Sequence, residues 1–233
     1  MKKIAILQSN YIPWKGYFDI INMVDEFILY DDMQYTRRDW RNRNKIVTKD
    51  GLLWLSIPVI SKGKFYQKIK ETKVSDNNWA DNHWKAIQCN YSKTTYFDLY
   101  ADRIKKIYDL CKNIVFLSEI NYIFMKEICD ILGIQTKITW SSDYHLVDGK
   151  TERLVGLVKE AGGNIYLSGP SAKNYIDPEL FCEAGIGLEW MDYTGYPEYT
   201  QQSDEFEHHV SVLDLIFNEG IESKNFMKSF MNV

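Results

Sequence analysis

Aromatic and polar side chains crowd a short segment that follows the first apolar run of the sequence. Residues 3–8 are mostly apolar and end at Gln8, and Tyr11, Trp14 and Tyr17 follow within ten residues. A loop after a buried strand is usually built from small turn-forming residues, so three large rings there indicate a surface that could stack on a nucleobase or a sugar. The competing interpretation is that the rings only cover the core.

Two carboxylates end the second apolar run. Residues 26–30 are followed by Asp31 and Asp32, and Gln34 lies two positions further on. Carboxylates at a strand end can bind Mg²⁺ or hold a substrate amine or hydroxyl. Successive side chains of a strand point to opposite faces, so only one of the two acids is expected to face a given ligand. A helix cap beside a solvated acid is the alternative.

A basic cluster follows, in which five of the nine residues 37–45 are Lys or Arg although the chain has a net charge of −4. The planar guanidinium fork of Arg matches phosphate oxygens, so the cluster could hold the diphosphate of a nucleotide-linked substrate. A solvated hairpin arm is the other interpretation. The candidate substrate-binding residues here are Arg37, Trp40, Asn42, Arg43 and Asn44.

His83 is the histidine with the strongest catalytic context. It lies between Trp79 and Lys85 in a predicted helix, and an imidazole titrates close to neutral pH, as a general base requires. A structural role in the core is the competing interpretation. The sequence contains no H-E-x-x-H pattern and no C-x-x-C pair, so a metal site built from histidines or cysteines is not expected.

A run of small residues forms the last candidate site. Ser168, Gly169 and Ser171 follow a short apolar run, and Lys173 comes two residues later. Backbone amides and hydroxyls in such a turn could hold a phosphate or a carboxylate. A tight turn with an N-capping serine is the alternative. The sequence lacks the G-x-G-x-x-G, P-loop and G-x-S-x-G patterns of dinucleotide-binding, ATPase and hydrolase sites.

The elements that position these residues alternate between strand and helix. Strand, loop, helix and strand over residues 3–30 are typical of an α/β protein with a parallel sheet, in which ligands bind outside the carboxyl ends of the strands. Residues 40–47 and 51–59 indicate an inserted hairpin. We therefore predict a Rossmann-like, mostly parallel sheet with an inserted β-hairpin and a helical segment.

The rest of the chain continues this pattern. A further strand is predicted over 66–74, helices dominate 79–132, and 134–141, 164–167 and 188–191 are strand candidates. A helix is predicted over 150–161. No linker or repeat divides the chain, so residues 1–233 are expected to form a single domain.

Composition excludes several classes of protein. Hydrophobic residues make up 45% of the chain and aromatic residues 15%, which indicates a globular core with rings to spare for a binding site. The acidic balance disfavours nucleic-acid binding. The absence of a long apolar run and of a signal peptide predicts no membrane insertion and a cytoplasmic location.

Several of these segments, in this order, resemble the WbqC-like family of bacterial proteins. The matching stretches are 8–18, 31–34, 40–46, 54–59, 79–87, 166–175 and 211–220. Ser9 departs from the Gln-Pro pair expected of the family. The resemblance implies a role in the synthesis of O-antigen or another surface polysaccharide, and more specifically N-acyl or aminoacyl transfer to a nucleotide-linked amino sugar.

That reaction implies roles for the candidate residues. An amine proton needs a base and a tetrahedral oxyanion needs donors, so His83 or Asp31 would be the base and the amides near Ser168 and Gly169 the donors. The donor substrate would be a carrier-bound acyl thioester, with an acyl carrier protein as a candidate partner. The sequence itself requires no cofactor, and it is compatible with a homo-oligomer.

Two other functions stay open. The first is nucleotidyl transfer to a sugar or a small phosphate ester, although Trp14-Lys15-Gly16-Tyr17 occupies the place of the H-x-G-H loop and contains neither histidine. The second is a non-catalytic glycan-binding or scaffold protein, for which the excess of aromatic residues is suitable.

Overall fold

A parallel β-sheet forms the centre of the fold. The computed structural model describes residues 1–231, and its strands are β1 (Lys3–Leu7), β2 (Glu26–Leu29), β3 (Arg43–Thr48), β4 (Gly51–Ser56), β5 (Lys137–Trp140), β6 (Ile165–Ser168) and β7 (Gly187–Trp190). Five strands pair in parallel in the order β5-β2-β1-β6-β7, while β3 and β4 form a separate antiparallel hairpin. The predicted α/β architecture with a parallel sheet and an inserted hairpin is confirmed.

The strand order creates a crevice between β1 and β6. The chain runs outward from β1 to β2 and β5, and then returns to place β6 on the other side of β1. Connections that leave neighbouring strands in opposite directions open a crevice at the carboxyl ends of those strands, where α/β proteins bind their ligands. Leu7 and Ser168, the last residues of β1 and β6, border this place.

Helices cover both faces of the sheet. They are α1 (Lys15–Asn22), α2 (Trp79–Tyr91), α3 (Phe97–Cys111), α4 (Leu117–Leu132), α5 (Thr151–Glu160), α6 (Pro178–Glu183), α7 (Val212–Glu219) and α8 (Lys228–Met231). Alternate side chains of β1 enter different apolar clusters, because Ala5 packs on the side of α1 while Ile4 and Ile6 pack on the side of α5. A strand buried on both faces requires the continuous apolar sequence that β1 has.

The segment between β2 and β5 packs on the side of α1. Apolar side chains of the hairpin and of α2, α3, α4 and α7 share one cluster with those of α1, and the helical segment predicted for 79–132 is confirmed. The last of these helices, α4, stops at Gly133, whose φ of +71° is the left-handed conformation that glycine adopts readily.

The strand predicted for 66–74 is wrong. Only a short 3₁₀ helix, Ile69–Glu71, forms there. Lys68, Lys73 and Val74 each form an isolated bridge to a different segment of the chain. Because the backbone of this region pairs with three partners in turn, no continuous ladder can develop.

A buried lysine, Lys15, holds the segment between β7 and α7. Residues 191–210 of this segment contain neither helix nor strand. The Lys15 ammonium donates to the carbonyl of Pro197 at 2.8 Å and lies 5.1 Å from the ring centres of Tyr196 and Tyr199. Burial lowers the pKa of Lys15 to about 8, although nearby carboxylates oppose this change.

Glu26 joins three strands at the amino end of the sheet. Its carboxylate is buried and accepts hydrogen bonds from Lys2 at 2.7 Å, Lys137 at 3.1 Å, Thr139 at 2.9 Å and the hydroxyl of Tyr144. Burial opposes the ionisation of Glu26, but these donors outweigh it and lower its pKa to about 2.

Within residues 1–231, no helix combines the length and the apolar character needed to cross a membrane.

Replacing Glu26 with Gln keeps the shape of the side chain but removes the charge that faces Lys2 and Lys137. We expect the free energy of unfolding at pH 7 to fall by about 2–3 kcal/mol, between the values for exposed and fully buried ion pairs. As the pH falls, the Glu26 carboxylate is protonated near pH 4.5 in the unfolded chain but only near pH 2 in the folded protein. The difference in stability between the two proteins should therefore vanish as the pH falls from about 4.5 to about 2. Urea titrations of both proteins measure the free energy of unfolding. A difference that is independent of pH would show that the Glu26 charge is not what stabilises the fold.

Candidate functional site

A cleft of about 770 Å³ opens at the carboxyl ends of β1 and β6. Its walls are formed by Leu7 at the end of β1 and Gln8 just after it, by Ser168 at the end of β6 and Gly169 just after it, and by the start of α5. The cleft therefore occupies the crevice that the strand order creates. A smaller pocket of about 110 Å³ adjoins it and shares Asn10, Trp14 and Trp40 with it.

The charged side chains that line the cleft are all basic. Arg41, Lys150 and Arg153 face it, and within residues 1–231 no aspartate, glutamate or histidine belongs to its lining. Lys150 immediately precedes α5 and Arg153 lies in its first turn, where the unpaired backbone N–H groups add a positive potential. The cleft is thus suited to an anionic ligand, although the chain as a whole is acidic.

Arg41 is held at both its side chain and its backbone. Its guanidinium donates to the side-chain oxygen of Gln8 at 2.6 Å and to that of Asn10. Its carbonyl accepts a hydrogen bond of 2.9 Å from the amide of Asn121, which also donates to the hydroxyl of Ser9 at 3.0 Å. A cation fixed in this way needs little reorganisation to meet a ligand.

Arg153 is anchored at the rim and interacts with a tyrosine. Its Nε donates to the carbonyl of Val147 at 2.7 Å, and a guanidinium nitrogen lies 3.8 Å from the carboxylate of Asp148. Burial raises the pKa of Tyr30, against the effect of the neighbouring Arg153 charge. Because Asp148 is fully solvent-exposed, water screens this ion pair and leaves the Arg153 charge largely available to a ligand.

The predicted aromatic wall is present in part. Trp14, Tyr17 and Trp40 line the cleft, and the Trp14 ring packs against Tyr193 with 5.2 Å between centroids. A Cβ atom on Gly16 would lie 2.4 Å from the Trp14 ring, so only glycine lets the indole lie across the start of α1. Tyr11, also predicted for this wall, is instead buried in the core because its ring points away from the cleft.

A strained loop carries these side chains. Ile12 is buried at φ +40°, a region that β-branched residues rarely adopt. The amide of Asn44 in β3 donates to the carbonyls of Ile12 at 2.6 Å and Tyr11 at 3.2 Å. The N–H of Val212 donates to the carbonyl of Pro13. Asn44 was predicted to bind substrate, and the structure uses its amide to hold this loop, while its side chain also borders the smaller pocket.

Asp31 is buried beneath the cleft and does not line it. Its carboxylate accepts hydrogen bonds from the N–H of Ser9 at 2.8 Å and from the hydroxyl of Ser118. Burial raises the pKa of Asp31, and these two donors oppose that change. Its role as a catalytic base stays a prediction, and in this arrangement both its oxygens already have partners.

Asp32 lies beside Asp31 in the turn after β2, but its carboxylate contacts different partners. One oxygen lies 2.6 Å from Lys70 and 3.3 Å from Lys68, and the other accepts a hydrogen bond from Ser141 at 3.0 Å. Burial alone would raise the pKa of Asp32, but the two lysines and Ser141 lower it. The structure does not bring Asp32 to the cleft.

His83 also lies outside the cleft. It is buried in α2, and its Nδ1 shares a hydrogen bond of 2.8 Å with the hydroxyl of Tyr11, which in turn contacts the hydroxyl of Tyr108 at 2.8 Å. Burial lowers the pKa of His83 to about 4, against the effect of the Ser56 carbonyl. The imidazole is therefore neutral at pH 7. Its role as a base stays a prediction.

Gln34 and three predicted residues of the basic cluster do not line the cleft. Gln34 donates to the carbonyl of Phe65, Arg37 donates to that of Ser61, and Asn42 donates to that of Ile57. The guanidinium of Arg43 stacks on the ring of Trp54, 4.2 Å from its centroid. Because these groups are turned toward the hairpin and its neighbouring loop, only Trp40 and Arg41 of this segment face the cleft.

The turn after β6 supplies the other wall. Ser168, Gly169 and Ser171 line the cleft, and their binding of a substrate stays a prediction. Lys173 lies over the ring of Trp190, 5.5 Å from its centroid, and does not line the cleft. The 3₁₀ helix Pro170–Asn174 turns Lys173 toward the outer side of β7.

Sequence reasoning missed several residues of the cleft. Among them are Asn10, Tyr30, Arg41, Lys150, Arg153, Tyr166, Tyr175 and Tyr193. Lys150 and Arg153 lie at the start of the predicted helix after the outer strand, and the rule that helix starts meet the carboxyl ends of parallel strands could have identified them.

Metal ligands do not converge in the part of the chain that the structure describes, since no group of three or more His, Cys, Asp or Glu side chains there is arranged to hold an ion.

Comparison with known proteins identifies the family to which the chain belongs. A family model described as the WbqC-like protein family matches residues 8–226, and the chain belongs to this family. The chain is 51% identical over 228 residues to the uncharacterized protein Rv1507c of Mycobacterium tuberculosis, with 98% of each chain covered. No solved structure matches the chain.

The low pKa of His83 makes stability depend on pH. Below about pH 6.5 the unfolded chain binds a proton on this imidazole, whereas the folded protein binds it only near pH 4. The free energy of unfolding should therefore fall as the pH decreases across this interval, by up to about 3 kcal/mol from this group. In the variant His83→Gln, the fall in the free energy of unfolding between pH 7 and pH 4 should be smaller by the contribution of this imidazole. Urea titrations between pH 7 and pH 4 test this, and parallel curves for the two proteins would contradict it.

Replacing Asn44 with Ala removes the donor to two buried carbonyls. We expect the free energy of unfolding to fall by about 1–3 kcal/mol, measured by urea titration. Asn225→Ala, at an exposed position, should change it by less than about 0.5 kcal/mol. Equal effects of the two substitutions would show that Asn44 does not hold the strained loop.

Proposed function

We propose that this protein binds a nucleotide-linked amino sugar in the cleft and transfers an acyl group to its amine during surface-polysaccharide synthesis. The observation that carries the proposal is the lining of the cleft, whose charged side chains, Arg41, Lys150 and Arg153, are all basic. Asp39, 3.6 Å from Arg41, and Asp148, 3.8 Å from Arg153, do not belong to this lining. The WbqC-like family, to which the chain belongs, supports the choice of pathway through the role that the resemblance implies.

The charge of the lining suits a diphosphate. A nucleotide sugar carries two negative phosphates in a row, and Arg offers them paired N–H donors. Arg41 is held by Gln8 and Asn10 before any ligand arrives. The serines of the turn after β6 face the same space and add neutral donors.

The aromatic wall suits the rest of such a substrate. Trp14 and Trp40 line both the cleft and the smaller pocket beside it. Indole faces stack on nucleobases and on the apolar faces of sugars. A ligand that combines an anionic diphosphate with a base and a sugar matches a cleft whose lining contains both cations and rings.

The proposed reaction forms an amide. The amine nitrogen of the sugar attacks the carbonyl carbon of an acyl thioester, the C–S bond breaks, and the thiolate leaves. The amine loses one proton to a base, and the thiolate recovers one to leave as a thiol. Asp31 and His83 are the bases predicted from the sequence, but neither lines the cleft, so the proton would have to reach either of them through an intervening group. If His83→Ala and Asp31→Asn each keep turnover within about tenfold of wild type, which is roughly 1.4 kcal/mol, neither is the base.

A second candidate function is binding of the nucleotide sugar without catalysis. The observation in its favour is that, within residues 1–231, the lining contains no histidine, aspartate or glutamate that could accept a proton. Absence of product from any amino-sugar and thioester pair that binds would favour this candidate.

Thermal unfolding with a panel of ligands tests the proposal. The panel contains UDP-, dTDP- and GDP-linked amino sugars, the parent hydroxy sugars, and ATP and CTP, each with and without Mg²⁺. An amino sugar at about one hundred times its Kd should stabilise the protein by about 2.7 kcal/mol, which corresponds to a rise in Tm of about 5–10 °C. The parent hydroxy sugar should give a smaller rise.

Substitutions in α5 show whether the ligand occupies the cleft. Arg153→Gln and Lys150→Gln should each weaken binding about 10- to 100-fold, because each removes a charge-assisted hydrogen bond. Lys159→Gln, in the same helix but away from the cleft, is the matched control and should leave Kd unchanged. Stabilisation only by ATP or CTP with Mg²⁺, or by none of the ligands, would refute the proposal.

A further inference from the structure

Two aromatic side chains project from a loop beside the hairpin. Phe65 is 73% exposed and Tyr66 is 84% exposed. Their rings contact each other edge to face, with 5.0 Å between centroids. They lie in residues 61–68, here called the 61–68 loop, which turns at Gly63 with φ +75°. Apolar rings this exposed indicate a surface that another apolar phase covers.

The 61–68 loop is ordered by contacts with the segment after β2. The amide of Gln34 donates to the carbonyl of Phe65 at 2.7 Å, and the N–H of Tyr35 donates to the carbonyl of Gln67 at 2.9 Å. The backbone that carries the two rings is therefore anchored to the body of the protein, and the rings are presented in a fixed direction.

The charge around these rings is positive. Residues 51–70 include four lysines and no aspartate or glutamate, in a chain of net charge −4. Lys68 and Lys70 pair with Asp32. Lys62 and Lys64 form no ion pair within residues 1–231, so their charges are free to meet an external anion. Arg37, which donates to the carbonyl of Ser61, adds a further positive charge at the base of the loop.

The residue types identify the class of surface that fits. Protein interfaces are depleted in lysine, and aromatic anchors in them need a matching pocket. Lysines that flank protruding aromatic rings are instead typical of segments that lie on anionic lipid, where the rings settle among the headgroups and the ammonium groups stay in water.

We propose that the 61–68 loop docks this protein on an anionic phospholipid surface. Phe65 and Tyr66 enter the headgroup layer, and Lys62 and Lys64 meet the lipid phosphates. The contact is peripheral and involves no spanning helix. It is independent of what the cleft binds.

The position of the loop connects this contact to the cleft. The N–H of Ile69, just after the loop, donates to the carbonyl of Met33 at 2.9 Å, and Met33 lines the cleft. The backbone of the loop is therefore tied directly to a residue of the cleft lining.

Sedimentation with vesicles tests the proposal on the full-length protein. The probes are vesicles of phosphatidylcholine alone and vesicles in which about a third of the lipid is phosphatidylglycerol. We expect binding to the anionic vesicles at low ionic strength, weaker binding as salt is added, and little binding to the neutral ones. The double variant Lys62→Gln/Lys64→Gln should lower the partition coefficient about thirtyfold.

Two further double variants separate this contact from general electrostatic attraction. Phe65→Ser/Tyr66→Ser should lower the partition coefficient about tenfold or more. Lys93→Gln/Lys106→Gln, which removes the same charge from exposed positions in another part of the surface, should change it less than about threefold. The Tm of each variant confirms folding, since all the positions are exposed.

Equal binding to neutral and anionic vesicles, or no binding to either, would overturn the proposal. It would also be overturned if the two lysine variants had equal effects, or if replacing Phe65 and Tyr66 left binding unchanged.

Discussion

One buried amide holds the wall of the cleft in place. Asn44 donates to the carbonyls of Tyr11 and Ile12, and Ile12 is kept at a φ that costs a β-branched residue about 1–3 kcal/mol. The strain persists because two hydrogen bonds and full burial offset it. The same loop presents Asn10 and Trp14 to the cleft, so the hairpin that carries Asn44 is a structural support of the ligand site.

A second buried polar group links the strand ends to the helical segment. Ser9 donates to Asp31 through its N–H, and its hydroxyl accepts from Asn121, which also holds the carbonyl of Arg41. The end of β1, the end of β2 and α4 are thereby joined around one cation. The catalytic role of Asp31 stays a prediction, and its hydrogen bonds fix the backbone on which the basic lining depends.

The sequence predicted the parts of the site that follow from local rules. Apolar runs located β1, β2 and β6, and the rule for parallel sheets located Gln8 outside the carboxyl end of β1, where it lines the cleft. Which arginine faces the cleft could not be predicted, because Arg41 is selected by contacts with Gln8 and Asn10 that are remote in sequence. Burial of His83 was also unpredictable, since it depends on Tyr11 packing inward rather than toward a ligand.

The central position of β1 has a consequence for synthesis of the chain. Lys3 and Ile4 pair with Ile165 and Tyr166, so one edge of the first strand stays unpaired until β6 has emerged from the ribosome. At about 5–20 residues per second, that interval lasts roughly 10–30 s. During it, a strand that is apolar on both faces exposes open backbone donors and acceptors, which is the kind of segment that aggregates or recruits chaperones. The ligand crevice, bordered by β1 and β6, is therefore among the last features to form in the newborn chain.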